Sequence, residues 1–311
     1  MENSNLVAMK RFIPLLLTLV VSSCDVAIEG VVAMPDVAPT FHAVIDDSDF
    51  TRTYLDENIR LRWTADDRIS LFEGTTRNKQ YKFLGETGDN AGDFDYVKAG
   101  FGTGNDVDRY YAIYPYASTN KLHEDGYITY TFPAEQTYAE GSVGLGANVM
   151  VAVTADLDDY DLTFRNAGSY LHVKLYGADQ IVGTISVATR GGEAIAGKAY
   201  ITPAFRGEPT VEMIGTGSAV TLNCGDGVTI GTTKESATPF WVVLPPFTAS
   251  EGIVVTVNDL YGGSQSFEVA SAITFNRNKY KTLTRELTIV SSGAGMGVGG
   301  WGDGENIEGG I

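Results

Sequence analysis

Basic charge is what this sequence has least of for its size. Lys and Arg number 22 against 39 Asp and Glu over 311 residues, a formal net charge of −17. Nucleic-acid affinity comes mainly from cationic contacts to phosphate, so a nucleic-acid partner is excluded. Docking on an anionic membrane through a basic face is excluded on the same ground. Cysteine is scarcer still, with only Cys24 and Cys224. Histidine occurs three times, as His42, His123 and His172, without an HExxH pattern. No GxSxG elbow is present either. Sustained 3.6-residue periodicity is missing beyond the N-terminus, which rules out coiled coils and helical repeats. The apolar run Phe12 to Val21 is about ten residues long, roughly half of what a membrane-spanning helix needs.

What is present suits β-structure. Hydrophobic residues make up 43%, enough for a packed core, and Gly (36), Tyr (16) and Phe (14) are plentiful. Apolar residues alternate with polar ones in Ile128-Tyr130-Phe132 and in Leu171-Val173-Leu175. Similar runs are Phe41 to Ile45, Ile69 to Phe72, Tyr110 to Tyr116, Val149 to Thr154, Ala219 to Cys224, Phe240 to Leu244, Ile253 to Val257 and Thr282 to Val290. Gly, Asn and Asp clusters such as Gly88-Asp89-Asn90 and Gly225-Asp226-Gly227 separate them. The reading is all-β, and the strand spacing favours sandwiches over a barrel.

The N-terminus reads as a targeting signal. Lys10 and Arg11 precede the apolar run, and Val21-Ser22-Ser23-Cys24 follows it. Aliphatic-small-small-Cys resembles a bacterial lipobox, so Cys24 is the expected lipidation site and residues 1–23 the signal peptide. An acylated Cys24 leaves Cys224 without an intramolecular partner, so stability is expected to come from core area alone. Residues 24–40 read as a tether. The run Ala155 to Asp161 carries four carboxylates in seven residues and sets the expected boundary between domains at 41–158 and 159–290. Residues 293–311 hold nine Gly among isolated apolar residues, so 291–311 reads as a flexible appendage.

Several near-motifs carry no chemistry. Gly192 to Lys198 satisfies the first seven positions of a P-loop, but Ala199 stands where a hydroxyl should bind magnesium. A glycine turn leading into a strand over 199–202 is expected instead. The pattern Gly295-x-Gly297-x-x-Gly300 opens no helix and lies in a Gly-dense tail. Asp156, Asp158, Asp159 and Asp161 fail the EF-hand pattern at Asp161 and Ala167, leaving a solvated acidic linker as the expectation. No catalytic residue, metal ligand set or cofactor site is assigned, and the chain reads as non-enzymatic.

Ordered segments of the chain resemble the fimbrillin family, the type V pilus subunits and fimbrillin-like lipoproteins of Gram-negative anaerobes. They are Thr51-Arg52-Thr53, Leu61-Arg62-Trp63-x-x-Asp66-Asp67-x-Ile69-x-Leu71-Phe72 and Tyr111-Ala112-Ile113-Tyr114-Pro115-Tyr116. After these come Phe132-Pro133-Ala134-Glu135-Gln136-x-Tyr138, Met150-Val151-Ala152, Leu162-x-Phe164-x-Asn166 and Phe240-Trp241-Val242-Val243-Leu244-Pro245-Pro246. Alternation within Tyr111 to Tyr116 predicts Tyr111 and Ile113 inward, with Tyr114 and Tyr116 over a sheet rim. The resemblance implies two tandem Greek-key, transthyretin-like β-sandwich domains behind a lipoprotein signal. It further implies a lipid-anchored outer-membrane precursor and removal of the first strand by an arginine-specific protease. Assembly would then proceed by strand donation between copies or related subunits. Arg52, just after the candidate first strand, is the expected processing site; Arg60 and Arg62 are rivals within an apolar run. Met296, Val298 and Trp301 are candidate donor-strand residues. The competing expectation is a monomeric surface lipoprotein that binds glycan or another ligand through exposed Trp and Tyr.

Overall fold

In the computed structural model, residues 38–46, 54–55, 61–74, 78–98, 108–290 and 308–310 are described, and every regular element among them is a strand. Cys24, Arg52, Arg60, Met296, Val298 and Trp301 lie outside the described residues, as do the signal peptide and most of the tether. The first eight strands are β1 (Phe41–Ile45), β2 (Tyr54–Leu55), β3 (Leu61–Arg62), β4 (Arg68–Phe72), β5 (Asn78–Phe83), β6 (Ala91–Lys98), β7 (Tyr111–Tyr114) and β8 (Lys121–Leu122). Next come β9 (Ile128–Phe132), β10 (Glu135–Thr137), β11 (Met150–Val153), β12 (Asp161–Asn166), β13 (Ser169–Tyr176), β14 (Ile181–Thr189), β15 (Gly197–Thr202) and β16 (Thr210–Met213). The last are β17 (Ala219–Thr229), β18 (Thr238–Leu244), β19 (Phe247–Ala249), β20 (Ile253–Asp259), β21 (Ser264–Val269), β22 (Ile273–Phe275), β23 (Tyr280–Glu286) and β24 (Glu308–Gly310). The described residues all fall within one compact unit.

The first sheet is a closed barrel in the order β1-β12-β11-β7-β4-β5-β6, where a sandwich was expected. Closure follows from one strand. Without β1 the other six would form an open sheet with β12 and β6 as free edges, and β1 pairs with both. Large rings fill the interior: Phe41, Trp63, Tyr81, Phe83, Phe94, Tyr114 and Phe164 are each 2% exposed or less. Trp63 sits among Phe83, Phe94, Tyr114 and Phe164, with ring centroids 5.0–5.8 Å away. Tyr114 thus points into the barrel rather than over a rim. Ile113 faces outward, under a second sheet of order β16-β15-β9-β8, with Phe72, Val151, Tyr130, Phe132 and Ile201. Strand β7 is buried on both faces, and its alternation therefore carries no sign of direction.

A third layer pairs two sheets around one core. The sheet β10-β17-β14-β20-β21 contributes Ile185, Val187, Leu222 and Val255, and the sheet β18-β13-β23-β24 contributes Leu171, Val173, Phe240 and Leu283. Two ladders join early strands to late ones: β9 pairs with β15, and β10 with β17. The acidic run is the turn between β11 and β12, which are antiparallel neighbours in the barrel, so the expected boundary at 158/159 falls inside one sheet. Two of its four carboxylates, Asp156 and Asp159, cap that turn: Ala155 N donates to Asp159 Oδ2, Asp158 N to Asp156 Oδ1 and Asp161 N to Asp159 Oδ1, each at 2.9 Å. These two are engaged within the turn, so the run folds sharply between paired strands rather than linking two domains.

Candidate strand-exchange site

The strand β1 is built to be buried on one face and paired on both edges. Its pattern Phe-His-Ala-Val-Ile puts Phe41, Ala43 and Ile45 inside at 0–1% exposure, with His42 and Val44 outward. It runs parallel to β12, from His42 opposite Asp161 to Ile45 opposite Phe164. It runs antiparallel to β6, from Phe41 opposite Phe94 to Val44 opposite Ala91. Phe41 meets Tyr81, Tyr110 and Tyr160 edge-on at centroid distances of 5.3, 4.9 and 5.6 Å. A groove left by β1 would therefore be lined by tyrosine rings at one end and by Trp63 and Phe94 further in.

Polar contacts fix the register of this strand. Thr40 Oγ1 donates to Asp95 Oδ1, and the His42 Nδ1 to Asp93 Oδ1 distance is 2.9 Å. The His42 and Asp93 side chains are more than half exposed, so that pair contributes little. Asp46, just past the strand, meets Arg165 of β12 at 2.9 Å with both side chains mostly covered. Burial, then the neighbouring Tyr160, pushes the Tyr110 phenol up to about 12, and burial also holds Tyr81 well above the usual phenol range. The tyrosines of the groove wall are thus neutral. Tyr81 Oη and Trp63 Nε1 are buried without a hydrogen-bond partner, a cost that the aromatic packing offsets.

The remaining sequence candidates are spread over the fold. Arg62 lies on β3, half-buried, with its guanidinium donating to Asn90 Oδ1 at 2.8 Å. At the chain's other end β24 pairs antiparallel with β23, from Tyr280 opposite Gly310 to Thr282 opposite Glu308. Gly192 and Gly197 have φ of +78° and +102°, and Gly197 opens the strand β15, as the turn reading expected. Cys224 lies within β17 rather than at a strand end, and burial pushes its thiol up to about 12. His172, outward on β13, stacks flat on Trp241 at 3.9 Å. No group of three His, Cys, Asp or Glu among the described residues is placed to hold a metal ion. Sequence reasoning placed Tyr110 only at the start of a strand run and did not single out Tyr160; both rings that receive Phe41 immediately precede other strands, β7 and β12.

No protein-family model and no curated protein sequence matches the chain. Solved structures do. One, described as a "putative cell adhesion protein" of Bacteroides ovatus, is 14% identical with a TM-score of 0.49, over 81% of this chain and 95% of that one. A second of the same description, from Bacteroides uniformis, is 17% identical with a TM-score of 0.47, over 82% and 94%. A fimbrial assembly protein of Parabacteroides distasonis is 11% identical with a TM-score of 0.35, over 79% and 90%. Fimbrial and cell-adhesion descriptions recur among its structural neighbours.

Proposed function

We propose that the protein is a non-enzymatic cell-surface fimbrial subunit or fimbrillin-like adhesive lipoprotein, assembled by strand exchange after removal of its first strand. One observation carries the reading: a single five-residue strand, β1, closes the barrel, and it stands immediately before the segment that holds Arg52. Cleavage there frees β1 from the rest of the chain. Its departure exposes two backbone edges and an apolar groove, both costly in water and both restored by a donor strand of alternating apolar residues.

The reading includes lipidation at Cys24, an outer-membrane precursor and later residence in a fimbrium. It also includes two β-modules, the first built on the barrel and the second on the two sheets around Leu171 and Phe240. The donor is proposed to come from another copy or a related subunit, with Met296, Val298 and Trp301 as its candidate anchors. Mass spectrometry of surface-extracted protein tests the whole scheme. The expected forms are a precursor acylated at Cys24 and a mature chain starting at Thr53. An acylated, uncleaved chain without higher oligomers would overturn assembly and leave the monomeric ligand-binding lipoprotein.

A further inference from the structure

Three rings stand together on the outward face of the sheet β16-β15-β9-β8, where neither strand exchange nor lipid anchoring uses them. The β8–β9 turn sets up the first two. His123 N donates to Tyr127 O at 2.9 Å, and Gly126 N donates to His123 O at 2.9 Å. Gly126 has φ +80°, a conformation that strains any side-chain-bearing residue. The turn places the His123 and Tyr127 rings nearly parallel with centroids 4.3 Å apart. Tyr200, on β15, brings its ring to 4.4 Å from Tyr127 and 5.9 Å from His123. The His123 Nε2 to Thr129 Oγ1 distance is 2.8 Å, so the imidazole is held in place.

These rings belong to none of the buried cores, and all three are partly exposed. The opposite face of the same strands already supplies Leu122, Ile128 and Tyr130 to the barrel side. Folding therefore gives no reason for a second aromatic cluster on the outside. The surround is polar and of mixed sign: Thr129 lies in register between Lys121 and Tyr200, and Tyr200 is opposite Glu212. A pre-set stack of rings bordered by hydroxyl, amine and carboxylate groups matches a ligand with one apolar face and a rim of hydroxyls.

We propose that His123, Tyr127 and Tyr200 form a shelf that binds an uncharged glycan, with a pyranose C–H face laid on the rings and its hydroxyls met by Thr129 and Glu212. The charges favour a neutral ligand. Lys121 on one side and Glu212 and Asp125 on the other give the shelf no single strong sign, and the overall −17 repels polyanions. Tyrosine gives rigid amphipathic contact area, and rings already fixed by a turn lose little freedom on binding. This inference stands independently of strand exchange, since the shelf is complete within one chain.

Affinity electrophoresis of the full chain tests it, in native gels containing mannan, arabinoxylan or starch, with heparin as the anionic control. Retardation by at least one neutral polysaccharide and none by heparin is expected. Tyr127→Ala and Tyr200→Ala should each weaken binding about tenfold while the protein stays folded, because both rings are partly exposed and lie outside the buried cores. Tyr200→Phe keeps the ring and should retain binding. The proposal is overturned if no neutral polysaccharide retards the protein, if heparin retards it as well, if the alanine variants bind like wild type, or if the Phe variant loses binding.

Discussion

The side chain of Gln136 supplies both hydrogen bonds of a missing strand to Val243. Its Nε2 donates to Val243 O at 2.7 Å, and its Oε1 accepts from Val243 N at 2.9 Å. Gln136 belongs to β10 in one sheet and Val243 to β18 in the facing sheet, so a single amide seals the edge of β18 and ties the two layers. Both residues are buried, at 5% and 1% exposure. Gln136→Leu should then leave one buried N–H and one buried C=O unpaired and cost about 2–4 kcal/mol. Urea denaturation checks this, and a loss below about 1 kcal/mol would show that the seam repairs itself.

A second expectation concerns Asp67, in the turn that ends beneath Trp63. Its carboxylate accepts from Thr64 N at 2.8 Å and from Tyr114 Oη at 3.2 Å. Burial outweighs both bonds and pushes it up to about 6 from an ordinary 3.8. The folded state therefore binds this proton more tightly than the unfolded one, and the stabilisation is complete below about 4. It is lost as pH rises through about 6. Asp67→Asn keeps an acceptor for Thr64 and offers Tyr114 a donor instead. The wild type should lose about 2–3 kcal/mol relative to this variant between pH 4 and pH 7. Parallel stability–pH curves for the two proteins would refute the assignment.

The strand β1 separates burial from pairing in one pair of substitutions. Phe41→Ala removes a ring that touches Tyr81, Tyr110 and Tyr160, and should cost about 3–5 kcal/mol. His42→Ala, one residue on, removes only an exposed pair with Asp93 and should cost under about 1 kcal/mol. Equal effects in chemical denaturation would mean that the groove does not select for side chains.

Thiol chemistry reports on the second core. Cys224 is 6% exposed among Val220, Leu222 and their neighbours, and burial pushes its thiol up to about 12. Iodoacetamide at pH 8 should leave the Cys224 peptide unmodified in the native protein and alkylate it in urea. Rapid native labelling, read by peptide mass, would contradict this packing.

The strand alternation in Phe41 to Ile45, Ile128 to Phe132 and Leu171 to Leu175 was legible because each of these strands buries one face. The direction of Tyr114 was not, since β7 is covered on both sides. Barrel closure was illegible for a different reason: it rests on β1 pairing in parallel with β12, residues more than a hundred positions apart, with no local signal for the match. The resembling segments gained their meaning only in three dimensions. Trp63, Tyr114 and Phe164 come from three of them and meet in the barrel, as Gln136 and Val243 from two others meet across the seam. The ring shelf joins a turn at 123–127 to Tyr200, and no spacing rule links those.

The two-sided pairing of β1 also has a mechanical meaning. Its ladders to β12 and β6 run along its length on either side. A pull on residues 38–40 along the strand axis loads both ladders together, in shear, so they must yield at once and not one bond after another. On the proposed exchange, a donor strand seated in the same slot would inherit that geometry. Each joint of a fibre built this way would resist axial tension through the arrangement that closes the barrel of a single chain.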